Sequence, residues 1–207
     1  NILNLVHVTP ADFLTRQFHV PVVCQIGPEQ YTRHKNGKPF SFGDFVKNPG
    51  DYESTFLPFT KVTDILITGH FWDPRAPVFF TIDDMRAADF RISVIADISC
   101  DVNGPIPCTI RASTIADPFY SFNPQLGMEE PAFSRASNVT VMAVDNLPGE
   151  LPREASQDFG KQLMQKVLYD LLMGKESRMI KRATITENGR LTPIYSYLED
   201  YINPVLF

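Results

Sequence analysis

The sequence predicts an α/β protein with a parallel sheet sandwiched by helices, and three observations carry that prediction. Val62 to Thr68 (VTDILIT), Ile92 to Ser99 (ISVIADIS) and Val139 to Asp145 (VTVMAVD) are nearly continuous apolar runs, the texture of strands buried on both faces. Each run ends in a polar or glycine-rich turn: Gly69-His70-Phe71-Trp72-Asp73-Pro74, Cys100-Asp101-Val102-Asn103-Gly104-Pro105 and Asn146-Leu147-Pro148-Gly149. Pro152 then opens a strong helical pattern in which Phe159, Leu163, Val167, Leu168, Leu171 and Leu172 recur at i, i+4 spacing up to Gly174.

The remaining elements follow in order. Asn1 stands where a methionine is expected, and Ile2, Leu3, Leu5 and Val6 form an apolar cluster with no capping residue ahead of it. That predicts the end of a helix whose start lies upstream, and hence a piece of a longer chain. Thr9-Pro10-Ala11-Asp12 has the form of a capped helix start, with a short helix to about Gln17. His19 to Ile26 reads as a buried strand or extended segment closed by Gly27-Pro28. From Tyr31 to Phe59, aromatic residues spread among charges around Asn36-Gly37-Lys38-Pro39 predict an inserted turn-and-helix segment that covers something. Near the carboxyl end, Asn188-Gly189 makes a turn and Thr192-Pro193 caps a last helix through Tyr201.

Composition narrows the function classes. The 207 residues, 43% of them hydrophobic, suffice for one large domain or two small ones. A net charge of −5, from 24 acidic against 19 basic residues, argues against nucleic acid and anionic membrane as partners. No apolar run reaches the ~18 residues needed to cross a bilayer. The expectation is a soluble, cytoplasmic protein. Cys24, Cys100 and Cys108 form no C-x-x-C pair, which suits a reducing compartment. His7, His19, His34 and His70 lack metal-ligand spacing, so no metal is expected. The sequon Asn138-Val139-Thr140 lies in an apolar run and reads as chance.

In open α/β sheets ligands bind at the carboxyl ends of strands, so the three turns are the places to seek function. There is no G-x-G-x-x-G, no phosphate-binding G-x-x-x-x-G-K-[ST] and no G-x-S-x-G elbow. Asp101 is the best candidate because it follows a hydrophobic strand and precedes Gly104-Pro105. A carboxylate there either orients a ligand hydroxyl or ammonium, or caps its own turn. Asp97, inside the strand, is expected to hydrogen-bond structurally. Asp145-Asn146 offers a carboxylate and an amide at the next strand end, or again turn chemistry. Arg75 either holds an anion or caps the turn after Trp72-Asp73-Pro74, and Trp72 either stacks on a ring or fills a gap.

Val144-Asp145-Asn146-Leu147-Pro148-Gly149-Glu150-Leu151-Pro152-Arg153-Glu154-Ala155-Ser156 closely resembles the carboxyl-terminal signature of the NAD-dependent, lysine-forming saccharopine dehydrogenases and their lysine–ketoglutarate reductase relatives. Ala96-Asp97-Ile98-Ser99-Cys100-Asp101 and Thr114-Ile115-Ala116-Asp117-Pro118 resemble the same family, and the alanine dehydrogenase and transhydrogenase families share weaker versions. The resemblance runs from about Val22 to Met173. It implies a carboxyl-terminal fragment: residues 1–150 as the latter half of a partial Rossmann-like NAD-binding domain, and 151–207 as helices returning to a missing substrate domain.

The activity it implies is hydride transfer between NAD and the secondary amine of saccharopine, a small amino-acid substrate, giving lysine and 2-oxoglutarate. An alanine dehydrogenase-like enzyme and a non-catalytic nucleotide-binding or interaction module are the alternatives, and a homodimer is compatible with each. By resemblance, Gly69, His70 and Phe71 pack against the adenosine and ribose side of the cofactor. Ile98, Ser99 and Cys100 line it, and Asp101 is the active-site aspartate beside the nicotinamide. Asp145, Asn146 and Leu147 give the second nicotinamide-side contact. The family's acid–base lysine and histidine match nothing in this sequence, and none of its four histidines takes that role.

Overall fold

The computed structural model describes residues 4–173 and 177–203. The chain divides into two compact units, residues 1–147 and 148–207.

In the first unit, β1 (Val6–His7) pairs in parallel with β2 (Val22–Val23), with helix α1 (Pro10–Thr15) between them. The Thr9 hydroxyl accepts the Asp12 amide, so the capped start forms as the sequence predicts. The apolar opening differs from expectation. Ile2 and Leu3 lie outside the described residues, and Val6 and His7 are strand, because the β-branched Val6 finds a partner in Val22.

Helix α2 (Pro28–Tyr31) then leads into the hairpin of β3 (Thr32–His34) and β4 (Tyr52–Ser54), with α3 (Phe42–Lys47) inside its loop. This is the aromatic segment, and it does cover something. Tyr31 and Phe56, with Phe59 of α4 (Leu57–Thr60), join the main core beside Phe79 and Phe80. Phe40 and Phe45 pack on Tyr52 at ring-centroid distances of 5.9 and 5.1 Å. Burying one such ring contributes about 2–3 kcal/mol.

The central sheet contains β5 (Ile65–Thr68), β6 (Val94–Asp97), β7 (Phe119–Asn123), β8 (Met128–Glu130) and β9 (Val139–Met142), in the order β5-β6-β9-β7-β8. The three apolar runs are adjacent parallel strands, β5 on β6 and β6 on β9. The sheet as a whole is mixed, which corrects the parallel expectation: β7 runs antiparallel to β9 and to β8. The Asn123 carboxamide oxygen accepts the Gln125 and Leu126 amides, and Gly127 closes the turn at φ +65°. The α-helices described in its unit, including α5 (Ile82–Met85), are four to six residues long. Strand β5 is not buried on both faces, since Ile65 and Ile67 are 62% and 66% exposed at the sheet edge. Asn138 of the sequon is buried, its amide donating to the Glu130 carboxylate at 2.8 Å.

In the second unit, α6 (Pro152–Leu163) passes through a π-helical stretch, Met164–Leu168, into α7 (Tyr169–Leu172). The expected end at Gly174 lies outside the described residues. After α8 (Arg178–Ala183), β10 (Thr186–Glu187) and β11 (Arg190–Leu191) form a hairpin around Asn188 and Gly189. Both turn residues have positive φ, 51° and 75°, the geometry Asn-Gly favours. A 3₁₀ segment, Pro193–Leu198, and α9 (Glu199–Ile202) make up the last helical stretch. Among the described residues, no helix is long and apolar enough to cross a membrane.

Candidate functional site at the carboxyl ends of the parallel strands

Parallel pairing brings the ends of β5, β6 and β9 to one edge of the sheet, and their turns meet there. The Ile98 amide donates to the Thr68 carbonyl at 2.9 Å. The His70 amide donates to the Ser99 hydroxyl at 3.2 Å, joining the first turn to the second. The Phe79 amide reaches the Pro105 carbonyl at 3.0 Å, and the Ser113 amide reaches the Ala143 carbonyl at 2.8 Å.

Asp97 organises this junction. It is fully buried; its Oδ1 accepts the Thr68 hydroxyl at 2.7 Å and the Ser99 and Cys100 amides at 3.1 and 3.3 Å. Its Oδ2 accepts the Thr109 hydroxyl at 2.6 Å. A buried carboxylate is tolerated only when its lone pairs are satisfied in this way. The expectation that Asp97 is structural is met, and the sequence reading had no sign of Thr68 or Thr109 as its partners.

Downstream of that anchor, Cys100 sits at φ 54° and Asn103 at φ 57°, so the turn carrying Asp101 contains two left-handed residues. For cysteine that conformation costs of the order of 1 kcal/mol, and such strain persists only where the surroundings impose it. The Gly104 amide closes back on the Asp101 carbonyl at 2.8 Å. A Cβ at Gly104 would meet Asp101 Cβ and O at 2.6 Å each, so glycine is required for the close approach.

The Asp101 main chain makes the turn, and no hydrogen bond holds its carboxylate among the described residues. Burial and the Asp97 charge raise its pKa, while His70 pulls the other way. Burial also pushes the Cys100 thiol up, helped by the negative charges of Asp97, Asp145 and Asp101. His70 is held below the usual histidine range by burial, against the opposing pull of Asp97 and Asp101.

The structure thus gathers Gly69, His70, Ser99, Cys100, Asp101 and Asp145 around one strand-end junction. Phe71 and Ile98 point largely to solvent, Asn146 is exposed and Leu147 half-buried. Arg75 is committed to its own turn, its guanidinium meeting Asp73 at 2.9 and 2.7 Å and its amide meeting it at 2.9 Å. Among the described residues, no group of three or more His, Cys, Asp or Glu is placed to hold a metal. An open carboxylate, Asp101, and a half-buried histidine, His70, whose Nε2 has no hydrogen-bond partner among the described residues stand at the carboxyl ends of the strands, where open α/β sheets bind ligands.

Comparison with known proteins agrees with the motifs that carry the resemblance. No protein-family model matches the chain. It is 31% identical over 192 residues to the α-aminoadipic semialdehyde synthase of Arabidopsis thaliana, an alignment covering 89% of this chain and 18% of that protein. It is 27% identical over 182 residues to the mitochondrial α-aminoadipic semialdehyde synthase of Mus musculus, covering 75% of this chain and 20% of the relative. It is 29% identical over 143 residues to the NAD(+)-dependent, L-lysine-forming saccharopine dehydrogenase of Emericella nidulans, covering 66% and 36% respectively. The chain therefore spans between about a fifth and a third of the length of these relatives.

Proposed function

We propose that this chain, a homologue of the lysine-forming saccharopine dehydrogenases and the α-aminoadipic semialdehyde synthases, forms the nicotinamide-side part of an NAD-dependent oxidoreductase acting on saccharopine. In this reading the first unit belongs to a Rossmann-like cofactor domain, and the second leads back to the substrate domain. The observation that carries it is Asp101: a carboxylate with no hydrogen-bond partner among the described residues, presented at the end of a parallel strand by a strained turn that Asp97 anchors.

The chemistry assigns the parts. NAD supplies the hydride acceptor. The C–H bond beside the secondary amine breaks, its hydride leaves, the nitrogen loses a proton and a C=N bond forms. Water then adds and the C–N bond breaks, giving lysine and 2-oxoglutarate. Asp101 orients the substrate nitrogen and hydrogen-bonds its proton, a task that suits a carboxyl whose pKa lies above the ordinary value. Asp97 keeps Asp101 in place and does not touch substrate.

The test is turnover of saccharopine with NAD by the full-length gene product and its Asp101→Asn variant. The variant is expected to lose at least about tenfold in kcat, the usual scale for removing a positioned acid–base group. Equal turnover would remove Asp101 from the assignment, and higher activity on alanine than on saccharopine would redirect it to an amino-acid dehydrogenase.

A further inference from the structure

The loop that carries Asp101 leaves one buried carboxylate and returns to it. Asp97 Oδ1 accepts the Ser99 and Cys100 amides at 3.1 and 3.3 Å where the loop begins, and Asp97 Oδ2 accepts the Thr109 hydroxyl at 2.6 Å where it ends. Between these feet, the Asn103 amide donates to the Thr109 carbonyl at 3.2 Å and the Gly104 amide to the Asp101 carbonyl at 2.8 Å. Gly104, Ile106, Cys108 and Thr109 are buried, while Asp101 is half-buried and Val102 and Asn103 are exposed. The stem is thus fixed and the tip is presented to solvent.

Thr109 is itself held from a different part of the sheet. The Tyr120 hydroxyl, on β7, donates to the Cys108 carbonyl at 2.9 Å and accepts the Ile110 amide at 3.1 Å, so the residues on either side of Thr109 are pinned. A β-branched side chain on a fixed backbone has few rotamers, and the Thr109 hydroxyl has one proton to give. The two oxygens of Asp97 are unequally served. Oδ1 has three donors, counting the Thr68 hydroxyl, and Oδ2 has Thr109 alone among the described residues. Without that hydroxyl, Oδ2 is a buried carboxylate oxygen with no partner, a costly state that the carboxylate relieves by turning towards another donor. Turning draws Oδ1 away from the amides that start the Asp101 loop.

We infer that Thr109 is the positioning residue for Asp101: through Asp97 Oδ2 it sets where the Asp101 carboxylate stands, without touching substrate itself. The inference rests on the assignment of Asp101 to the substrate nitrogen, and it adds a residue that lies outside the strand-end turns. A purely structural Thr109 would matter to stability alone, as any buried hydroxyl does. Thr140 supplies that comparison, because it is buried on the neighbouring β9, its hydroxyl meets Ser121 at 3.0 Å, and its side chain makes no bond to the loop among the described residues.

The experiment compares saccharopine turnover with NAD by the full-length gene product and its Thr109→Val, Thr109→Ser and Thr140→Val variants, with Thr109→Val also combined with Asp101→Asn. Thr109→Val, which keeps the shape and removes the hydroxyl, is expected to lower kcat at least about tenfold, the scale of a misplaced catalytic group. Thr109→Ser should keep the wild-type kcat within about threefold, and Thr140→Val should do so while losing stability. In the Asp101→Asn background Thr109→Val should cost less than about twofold, since it acts through the group already removed. A kcat loss for Thr109→Val no larger than that for Thr140→Val overturns the inference, as does a loss undiminished in the Asp101→Asn background. Should Thr109→Val not fold by circular dichroism, Tyr120→Phe, which releases the backbone around Thr109, takes its place with the same expected and contrary results. If saccharopine is not consumed, or Asp101→Asn is as fast as the wild type, the reading of Asp101 fails, and amide hydrogen exchange in the 207-residue protein decides the placement. Exchange at Ser99, Cys100 and Gly104 should rise at least about tenfold more in Thr109→Val than in Thr140→Val, and an equal rise overturns the inference.

Discussion

The Thr68 hydroxyl donates to the Asp97 carboxylate at 2.7 Å, tying the last residue of β5 to the last residue of β6 directly across the parallel pair. The same oxygen accepts the amides that begin the Asp101 turn, so one buried group fixes two of the three loops that form the site.

Asp97→Ala should therefore be among the most damaging single changes in the first unit. It strands the Thr68 and Thr109 hydroxyls and two loop amides, and a loss of about 3–5 kcal/mol is expected from chemical denaturation. Thr68→Val should cost about 1 kcal/mol. The double variant should show a coupling of at least about 0.5 kcal/mol; strict additivity would mean that the two side chains do not share this bond.

Gly104→Ala tests the turn. Its Cβ would meet main-chain and side-chain atoms of Asp101 at 2.6 Å, a clash that only movement of the turn relieves. The expected result is a loss of roughly 1–3 kcal/mol with displaced backbone resonances around Asp101. An unchanged melting temperature and an unchanged spectrum there would contradict the described turn.

Asp101→Asn should raise stability near neutral pH. Because the folded protein lifts the Asp101 pKa, the ionised carboxylate is disfavoured relative to the unfolded chain. Its contribution is neutral at low pH, where both states are protonated, and becomes unfavourable as pH rises past the unfolded value near 3.9. Removing the charge removes that penalty, and a lowered melting temperature at pH 7 would contradict the raised pKa. A group kept at a cost to stability is what a functional carboxylate looks like.

His70 gives the opposite dependence. Its folded pKa lies below the ordinary 6.5, so at pH 8 both states are neutral and nothing is lost. As pH falls below 6.5 the unfolded chain takes up a proton that the folded protein resists, and stability declines until the folded pKa is reached. Urea denaturation between pH 5 and 8 should show this slope in the wild type and a shallower one in His70→Phe. Equal slopes would remove His70 as its source.

Burial holds the Cys108 thiol up at about 12. Iodoacetamide at pH 7.5 should leave Cys108 unmodified in the folded protein and label it after unfolding, read by peptide mass. Labelling of Cys108 in the folded protein would contradict its burial.

Much of this was legible in the chain, and the exceptions have physical causes. Val62 to Thr68, Ile92 to Ser99 and Val139 to Asp145 announce parallel strands because apolar side chains run continuously through them, and the turns after them were identifiable from Gly, Asp and Asn. The β7–β8 hairpin escaped because Tyr120, Ser121 and Phe122 are all buried, leaving no alternation to read. The Ser121 hydroxyl finds Thr140 at 3.0 Å, a cross-strand partnership that no local pattern encodes. Its turn, Asn123-Pro124-Gln125-Leu126-Gly127, was the available signal. Asp101 stood out through its position at a strand end. Thr109 did not, because its partner Asp97 lies 12 residues away in the chain, beyond any local pattern.

The most direct test of the central claim is steady-state formation of NADH from saccharopine and NAD by the full-length gene product, with lysine quantified in the same reaction. The account predicts that NADH and lysine appear in equal amounts, and that Asp101→Asn lowers kcat at least about tenfold while the protein remains folded. Saccharopine left unconsumed by folded, NAD-saturated enzyme, or a variant as fast as the wild type, would contradict it.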